Sequence, residues 1–359
     1  MDYKARLERA KCSIDDAHLT AIVVTHLPNI RYLCGFSGSA GVLVVSNRGS
    51  VLFTDGRYTE QAREEVKGVR VRIARKPALL AAGEWLQKRS TQRRIAIEAA
   101  HISVASRNIL GKAIGPTAKL VASDSMIERL RMLKDADEVA RIRAACHLAV
   151  NLFRSLVKTI RPGVSESRVA GGLEFEARKA GAEQMAFPTI VAGGARSALP
   201  HGRASGKPIP KMGFVVCDFG VILAGYCSDM TRTVHVGQPT AAARQGYEAV
   251  RQAQQAAVEA VRPGVTVGEV DNAARKLLYN KRLAKFFSHS TGHGVGLEIH
   301  EAPRVAAAQK EVLQPGMVIT IEPGVYLPGK WGVRIEDTVV VTETGCEILT
   351  PCPKNLITL

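Results

Sequence analysis

The sequence has no long run of apolar residues. No stretch approaches the roughly 18 consecutive apolar residues that a membrane-spanning helix needs. The first residues, Met1-Asp-Tyr-Lys-Ala-Arg, also lack the apolar core of a signal peptide. We therefore expect a cytoplasmic protein without a membrane partner. With 359 residues and 46% apolar content, the chain is long enough for two domains with substantial cores.

The cysteines lack the pattern of a disulfide framework. Seven of them form an odd set that contains no C-x-x-C pair. This pattern suits a reducing compartment, where buried free thiols are ordinary core residues.

Acidic residues are fewer than basic ones, 33 against 49, so the formal net charge is +16. Such an excess raises the possibility of an anionic partner such as RNA. However, the basic residues are spread along the chain, and no run of five like charges occurs. We therefore expect a solvated basic surface and no nucleic-acid partner.

The first third of the chain alternates two kinds of segment. Apolar runs rich in β-branched residues, typical of strands, occur at 20–25, 41–46, 50–55 and 94–98. Helix-like stretches lie between them at 58–66 and 79–89. This alternation predicts a small α/β sandwich domain. From 125 to 157 the apolar spacing predicts helix, interrupted near Lys134 and Asp135. We place the domain boundary in this region and predict domains over 1–128 and 129–359.

The second domain contains an internal echo. Ile160-Arg-Pro-Gly-Val-Ser-Glu and Val261-Arg-Pro-Gly-Val-Thr-Val lie about a hundred residues apart, and each follows a long helical pattern. Ser165 and Thr266 are the predicted N-caps of the helices that follow, and Glu269 completes a capping box in the second. Each copy is followed by a predicted strand that bears an acid. Two similar α/β halves folded face to face would bring these acids to one central site.

Four acids interrupt apolar strand patterns, where an unpaired buried carboxylate would be very costly. We expect a hairpin turn at Gly225 to place Asp218 and Asp229 on adjacent strands. Four acids on four strands would form a cage for cations. The acids are Asp218, Asp229, Glu322 and Glu336.

His293 is the expected nitrogen ligand of this cage. It lies in Thr291-Gly-His293-Gly-Val-Gly, where the glycines would let the backbone turn sharply beside a small site. Four carboxylates match the charge of two divalent ions. An oxygen-rich set with one histidine favours manganese, cobalt, iron or zinc over a structural thiolate zinc.

The segments around Asp218, Asp229, His293, Glu322 and Glu336, in this order, resemble the pita-bread metallopeptidases. This family includes methionine aminopeptidase, aminopeptidase P, prolidase and creatinase. The resemblance implies that Asp218 binds one metal ion, that Asp229 and Glu336 bridge both, and that His293 and Glu322 bind the other. The motifs that carry it are Asp218-Phe-Gly, Tyr226-Cys-Ser-Asp-Met-Thr-Arg-Thr, Thr291-Gly-His-Gly-Val-Gly-Leu-Glu-Ile-His-Glu, Ile321-Glu-Pro-Gly and Val333-Arg-Ile-Glu-Asp.

The first domain is similar to the creatinase N-terminal domain in Asn29-Ile-Arg-Tyr-Leu-Cys-Gly-Phe-Ser-Gly and Phe53-Thr-Asp-Gly-Arg-Tyr. Methionine aminopeptidases lack this domain, so the resemblance points to the proline-specific branch. It implies an α/β (α+β) chain with a small N-terminal domain and a pseudo-two-fold pita-bread catalytic domain. The implied cofactors are two divalent metal ions, with manganese preferred and cobalt, zinc or iron as alternatives.

Five side chains are expected to contact substrate or move protons. The resemblance assigns the proton shuttle to Glu322, the scissile-bond region to His201 and His300, and the proline site to His289. Arg334 lies two residues before Glu336, so strand alternation points it to the same face. His26, His101 and His235 match no motif, and we interpret them as ordinary surface or core residues.

The expected reaction is hydrolysis of the bond between an N-terminal residue and a following proline, by an Xaa-Pro aminopeptidase that forms a homodimer. A prolidase, limited to dipeptides, stays open and would hold the free proline carboxylate with a basic group. A relative that has lost catalysis and binds RNA or protein also stays open. Creatinase is excluded, since it works without the metals and the ligands are intact here.

Overall fold

A computed structural model describes residues 1–88 and 93–359. The chain divides into two compact units, Met1–Arg131 and Met132–Leu359. The boundary predicted after residue 128 stays a prediction, and that residue lies within the helix Met126–Met132.

The first unit alternates helices with strands in its described part, as the sequence predicts. The helix predicted over 79–89 corresponds to α4, and residue 89 lies outside the described residues. The helices are α1 (Tyr3–Asp16), α2 (Leu27–Cys34), α3 (Thr59–Glu65), α4 (Ala78–Gln87), α5 (Val104–Ile114) and α6 (Met126–Met132). The strands are β1 (Ala21–Val24), β2 (Val42–Val45), β3 (Val51–Thr54), β4 (Arg70–Ile73), β5 (Arg93–Glu98) and β6 (Ala118–Ser123).

These strands form one sheet in the order β4-β3-β2-β1-β5-β6. Because side chains alternate across a strand, Val42 and Val44 face one side, where they pack with Trp85 of α4 and Leu110 of α5. Helices α1 and α2 contact β2 and β1. The chain therefore builds the predicted small α/β domain.

The second unit consists of two helix pairs, each followed by a series of strands. Its helices are α7 (Ala136–Val157), α8 (Glu166–Lys179), α9 (Ala241–Ala260) and α10 (Val267–Asn280). The strands after the first pair are β7 (Gln184–Met185), β8 (Ile190–Gly193), β9 (Gly213–Phe219), β10 (Val221–Leu223), β11 (Tyr226–Cys227) and β12 (Met230–Val236). The strands after the second pair are β13 (Gly292–Gly294), β14 (Glu301–Val305), β15 (Val318–Ile321), β16 (Gly324–Leu327), β17 (Trp331–Arg334), β18 (Asp337–Val341) and β19 (Cys346–Ile348).

The helix starts follow the internal echo of the sequence. The Ser165 side chain accepts a hydrogen bond from the backbone N–H of Arg168 at the start of α8. Thr266 and Glu269 form a complete capping box at the start of α10. A break between α6 and α7 lies where Lys134 and Asp135 predict it. These local predictions are confirmed.

Each half of the second unit has its own core. In the first half, α7 and α8 pack on the sheet β12-β9-β8, with Phe153, Leu173 and Val215 among the buried residues. In the second half, α9 and α10 pack on the sheet β14-β13-β15-β18-β19, with Val250 and Ile319 buried. The two halves join where Glu336 donates its backbone N–H to the carbonyl of Thr231 in β12.

All seven cysteines, each in the described part of the chain, are free thiols. No helix among residues 1–88 and 93–359 is both long and apolar enough to cross a bilayer.

Candidate metal centre

Asp218 and Asp229 lie side by side in the first half, the former within a strand and the latter just before the neighbouring strand. Asp218 lies in β9, opposite Thr231 of β12, and Asp229 immediately precedes β12. Between them, β10 and β11 form a hairpin whose turn residues Ala224 and Gly225 have φ angles of 49° and 82°. The turn predicted at Gly225 is therefore present, and it brings the chain back beside Asp218.

Glu322 and Glu336 lie at strand ends, so the prediction of four acids within four strands is wrong in detail. Glu322 follows β15, and Glu336 lies between β17 and β18. At both points the chain passes from one sheet to another, which leaves the residue outside a regular ladder. The backbone is still fixed, because the N–H of Glu322 donates to the Thr291 carbonyl at 2.7 Å.

His293 lies in the short strand β13 and not in a sharp turn. Neither neighbouring glycine has a left-handed φ angle, so the predicted reason for these glycines is wrong. They are required because neighbouring strands approach closely. A Cβ at Gly292 would overlap the Thr320 carbonyl oxygen, and one at Gly294 would overlap that of Ala302.

The first half has a matching close approach. Gly220 follows Asp218 by two residues, and a Cβ there would overlap the carbonyl oxygen of Ser228. In both halves, a glycine beside a proposed ligand allows two backbone segments to touch.

The five predicted ligands converge on one place. The Nε2 atom of His293 lies 3.6 Å from Oδ2 of Asp229 and 3.4 Å from Oε1 of Glu322. Asp229, His293 and Glu336 each offer a ligand atom within 4.8 Å of the others. Three buried carboxylate oxygens have no hydrogen-bond partner, namely Oδ1 of Asp218, Oδ1 of Asp229 and Oε1 of Glu336. Oxygens of this kind fit a divalent cation, which would supply the missing partner.

Burial and crowding shift the protonation of these groups. Burial, reinforced by Glu336, Asp218 and Glu322, raises the pKa of Asp229 well above its ordinary value. Burial also raises the pKa of Glu336 well above its usual range, and it raises the pKa of Glu322 to about 8. Burial lowers the pKa of His293 to about 4, so its imidazole is neutral at pH 7 and can bind a metal ion. A bound cation would offset the repulsion between these acids, lower their pKa values and so release their protons.

Arg334 connects the acids to a hydrogen-bonded chain of side chains. One of its terminal nitrogens lies 2.5 Å from Oδ2 of Asp218, and the other donates to the Tyr326 hydroxyl at 2.6 Å. That hydroxyl lies 2.9 Å from Nε2 of His289. Arg334 therefore takes one oxygen of Asp218 and leaves Oδ1 for another partner.

All the predicted site residues line one cavity of about 660 Å³. His201 reaches it from the segment after β8, and His300 precedes β14. The ring centroids of His300 and His293 lie 4.4 Å apart in a T-shaped arrangement. Burial lowers the pKa of His289 to about 4 and also lowers the pKa of His300. The lining residues are Phe187, Pro188, Ile190, Pro200, His201, Arg203, Asp218, Asp229, His289, Ser290, His293, His300, Glu301, Arg304, Glu322, Arg334 and Glu336.

Several residues around the cavity were not predicted from the sequence. Tyr326 links Arg334 to His289, and the hydroxyl of Thr231 donates to Oε2 of Glu336 at 2.6 Å. Arg203 and Arg304 add two cations to the lining. Arg304 stands directly opposite His293 in the β13–β14 ladder. A prediction that paired these two strands would have found it.

The histidines interpreted as ordinary lie elsewhere. His235, in β12, is buried against Phe214, and its Nδ1 lies 2.8 Å from the Gly237 carbonyl oxygen. His26 and His101 stack on each other in the first unit, with ring centroids 3.6 Å apart.

Comparison with known proteins supports the predicted family. A model of metallopeptidase family M24 matches residues 140–343, and one of the creatinase/prolidase N-terminal domain matches residues 6–133. These matches and the two similar halves confirm the predicted fold, a small α/β domain followed by a pseudo-two-fold pita-bread domain.

Individual relatives cover nearly the whole chain. A protein named Xaa-Pro dipeptidase from Pyrococcus furiosus is 38% identical over 99% of this chain and 100% of its own length. The structure of an Xaa-Pro dipeptidase from Bacillus anthracis is 38% identical, covers 100% of both chains and superposes with a TM-score of 0.96. That of an X-Pro aminopeptidase from Thermotoga maritima is 36% identical, covers 97% of this chain and 100% of its own, and has a TM-score of 0.89.

Proposed function

The chain belongs to metallopeptidase family M24, and we propose that it hydrolyses the bond before proline in Xaa-Pro dipeptides. The sequence alone favours the alternative, an Xaa-Pro aminopeptidase, which acts on longer peptides. That alternative stays a prediction. The dipeptide proposal is supported by the two arginines of the cavity. Relatives named for both activities match the chain, so the side chains around the substrate must decide between them.

Arg304 is the observation that carries this proposal. Directly opposed residues of an antiparallel pair point to the same face of the sheet, so Arg304 faces the cavity beside His293. Among the described residues, neither Arg304 nor Arg203 has a side-chain hydrogen bond or ion pair. A free guanidinium binds a carboxylate through two parallel hydrogen bonds. A dipeptide presents such a carboxylate on its proline, and a longer peptide does not.

The metal ions fit the orphaned oxygens described above. We propose that Asp218 would hold one ion, that His293 and Glu322 would hold the other, and that Asp229 and Glu336 would contribute to both. When bound, two divalent ions would lower the pKa of the attacking water and polarise the scissile carbonyl. Manganese is the proposed metal, with cobalt, zinc or iron as alternatives, since the set is rich in oxygen and contains one imidazole.

The protein side chains have separate tasks in this reaction. We propose that Glu322, which lines the cavity beside His293, accepts the proton of the attacking water. It then delivers that proton to the proline nitrogen, which has no hydrogen of its own. His300 and His201 would hold the carbonyl oxygen and the substrate near the scissile bond. His289, fixed by Tyr326, would border the proline ring.

Kinetics with paired substrates test the dipeptide proposal. Ala-Pro should be cleaved with a kcat/KM well above that of Ala-Pro amide or Ala-Pro-Ala. Arg304→Met should raise KM for Ala-Pro about 10–100-fold, the range expected for a lost charged hydrogen bond of about 1.5–3 kcal/mol, and should leave Ala-Pro amide unchanged. Arg244→Met, an exposed arginine on α9 outside the cavity, is the control. Equal cleavage of all three substrates would favour the aminopeptidase.

Removal of metal tests the chemistry itself. Chelation should abolish cleavage, and added manganese or cobalt should restore it, because every proposed ligand is a side chain that needs the ion to activate water. Full activity in a chelator, with no residual metal found by elemental analysis, would contradict the two-metal proposal.

We also propose that the protein is a cytoplasmic homodimer. Light scattering would measure its oligomeric state.

A further inference from the structure

The loop that carries His300 is built around the carboxylate of Glu301. Oε1 of Glu301 accepts a hydrogen bond from the backbone N–H of Glu298 at 3.0 Å. The N–H of Gly296 donates to the Glu298 carbonyl, and a Cβ at Gly296 would lie 2.6 Å from Oε2 of Glu301. The segment 296–301 therefore wraps around one buried acid.

Lys134 supplies the cation for this acid. Its Nζ lies 3.1 Å from Oε2 of Glu301, and the two side chains are only 1% and 6% exposed. Lysine is almost never fully buried unless it is paired. The backbone of Lys134 is also fixed, since its N–H donates to the Gly316 carbonyl at 3.0 Å and a Cβ at Gly316 would lie 2.8 Å from its oxygen.

His300 has no side-chain anchor of its own. Among the described residues its ring makes no hydrogen bond, and its close contact is the T-shaped one with His293. The position of this ring therefore depends on the backbone of the loop 296–301. That backbone depends on Glu301 and, through it, on Lys134.

We propose that the Lys134–Glu301 ion pair is a positioning device for His300, and that Lys134 contributes to turnover without touching substrate. The inference rests on the proposed function, because it assumes that His300 holds the carbonyl oxygen in the transition state. Lys134 lies in the link between α6 and α7, so a residue outside the ligand motifs would set the geometry of the reacting centre.

A double-mutant cycle with His300 tests this inference. Lys134→Met should lower kcat/KM for an Xaa-Pro substrate by about 10–100-fold, as is typical of residues that orient a functional group. In a His300→Ala background the same change should cost less than about twofold, because the group it positions is gone. Equal losses in both backgrounds, no loss in the parent enzyme, or a fully active His300→Ala variant would overturn the proposal.

A second variant separates positioning from folding. Lys134→Met alone removes the lysine cation from a buried acid, whereas Lys134→Met with Glu301→Gln removes both charges and should regain thermal stability. Activity should stay low in the double variant, since the loop has still lost its lysine donor. Recovery of activity together with stability would overturn the positioning role. Arg143→Met, which breaks the solvent-exposed pair with Glu347, should change neither quantity.

The two proposals can fail separately. If the parent enzyme with metal cleaves no Xaa-Pro substrate, the proposed function is wrong. The crystal structure of Lys134→Met then decides the inference: a displaced His300 ring supports it, and an unmoved ring overturns it.

Discussion

Glu336 and Asp337 are adjacent in sequence and equally buried, yet the protein treats them in opposite ways. Asp337 accepts hydrogen bonds from Arg232, Lys354, Gln254 and Thr350 at 2.7–3.1 Å. Among the described residues, the Glu336 side chain accepts a hydrogen bond from the Thr231 hydroxyl alone and keeps Oε1 without a partner.

The protonation of the two acids reflects this difference. Burial raises the pKa of Asp337, but Arg232 and Lys354 outweigh it and lower the pKa overall. For Glu336, burial and neighbouring acids act together and raise the pKa. Asp337, whose hydrogen-bond partners come from the chain itself, has a structural role. Glu336, with one unpartnered oxygen, can bind a cation that is not part of the chain.

The largest expected effect is on turnover, and it separates a histidine proposed to bind metal from one that bonds only within the chain. His293→Ala should reduce turnover on the order of 10³-fold or more, since metal catalysis is worth several kcal/mol and each 1.36 kcal/mol is tenfold. His235→Ala should reduce it far less, because His235 bonds to the backbone of Gly237 away from the cavity. Steady-state kinetics and metal content would be measured for both. Similar losses from both changes would break the distinction.

The next prediction contrasts the two adjacent acids in metal-free protein. Asp337→Asn should lower the free energy of unfolding by about 3 kcal/mol, because it leaves Arg232 and Lys354 with an uncompensated buried charge. Glu336→Gln should leave stability unchanged or raise it, because it removes one of several crowded acids. Urea denaturation near pH 7 measures both. A loss of stability in Glu336→Gln as large as that in Asp337→Asn would contradict this account.

The smallest effect concerns pH. The folded-state pKa of Glu322 is raised to about 8 from an ordinary 4.5, so the folded state favours its protonated form. Its contribution to stability is complete below pH 4.5 and is lost as pH rises toward 8. Metal-free Glu322→Gln should therefore match the parent near pH 4 and exceed its unfolding free energy at pH 8 by more than about 1 kcal/mol, since one pKa unit corresponds to about 1.4 kcal/mol. Parallel stability curves from pH 4 to 8 would contradict the shift.

Local signals in the sequence predicted much of this structure. The repeated Arg-Pro-Gly segments and the caps at Ser165 and Thr266 identified the two halves, because capping depends on residues three positions apart. The acids and His293 pointed to the candidate site, since a buried carboxylate in apolar surroundings needs a cation, a hydrogen-bond partner or a proton.

Contacts between distant segments could not be predicted in the same way. The pairing of Arg304 with His293, the approach of Lys134 to Glu301 and the role of Tyr326 depend on which strands and loops become neighbours in space. The glycines beside His293 show the same limit, because both a sharp turn and a close approach of two strands require glycine. The residue type alone therefore does not reveal which of the two is present. Only the packed structure distinguishes them.

The close approaches at Gly220 and Gly292 have a practical meaning for directed evolution. Any side chain at either position would overlap a carbonyl oxygen of the adjacent segment, so mutagenesis at these two codons would yield mostly misfolded clones. A library aimed at new substrate preferences should leave both glycines fixed. It should diversify wall residues such as Phe187, which lines the cavity but lies outside the proposed ligand set.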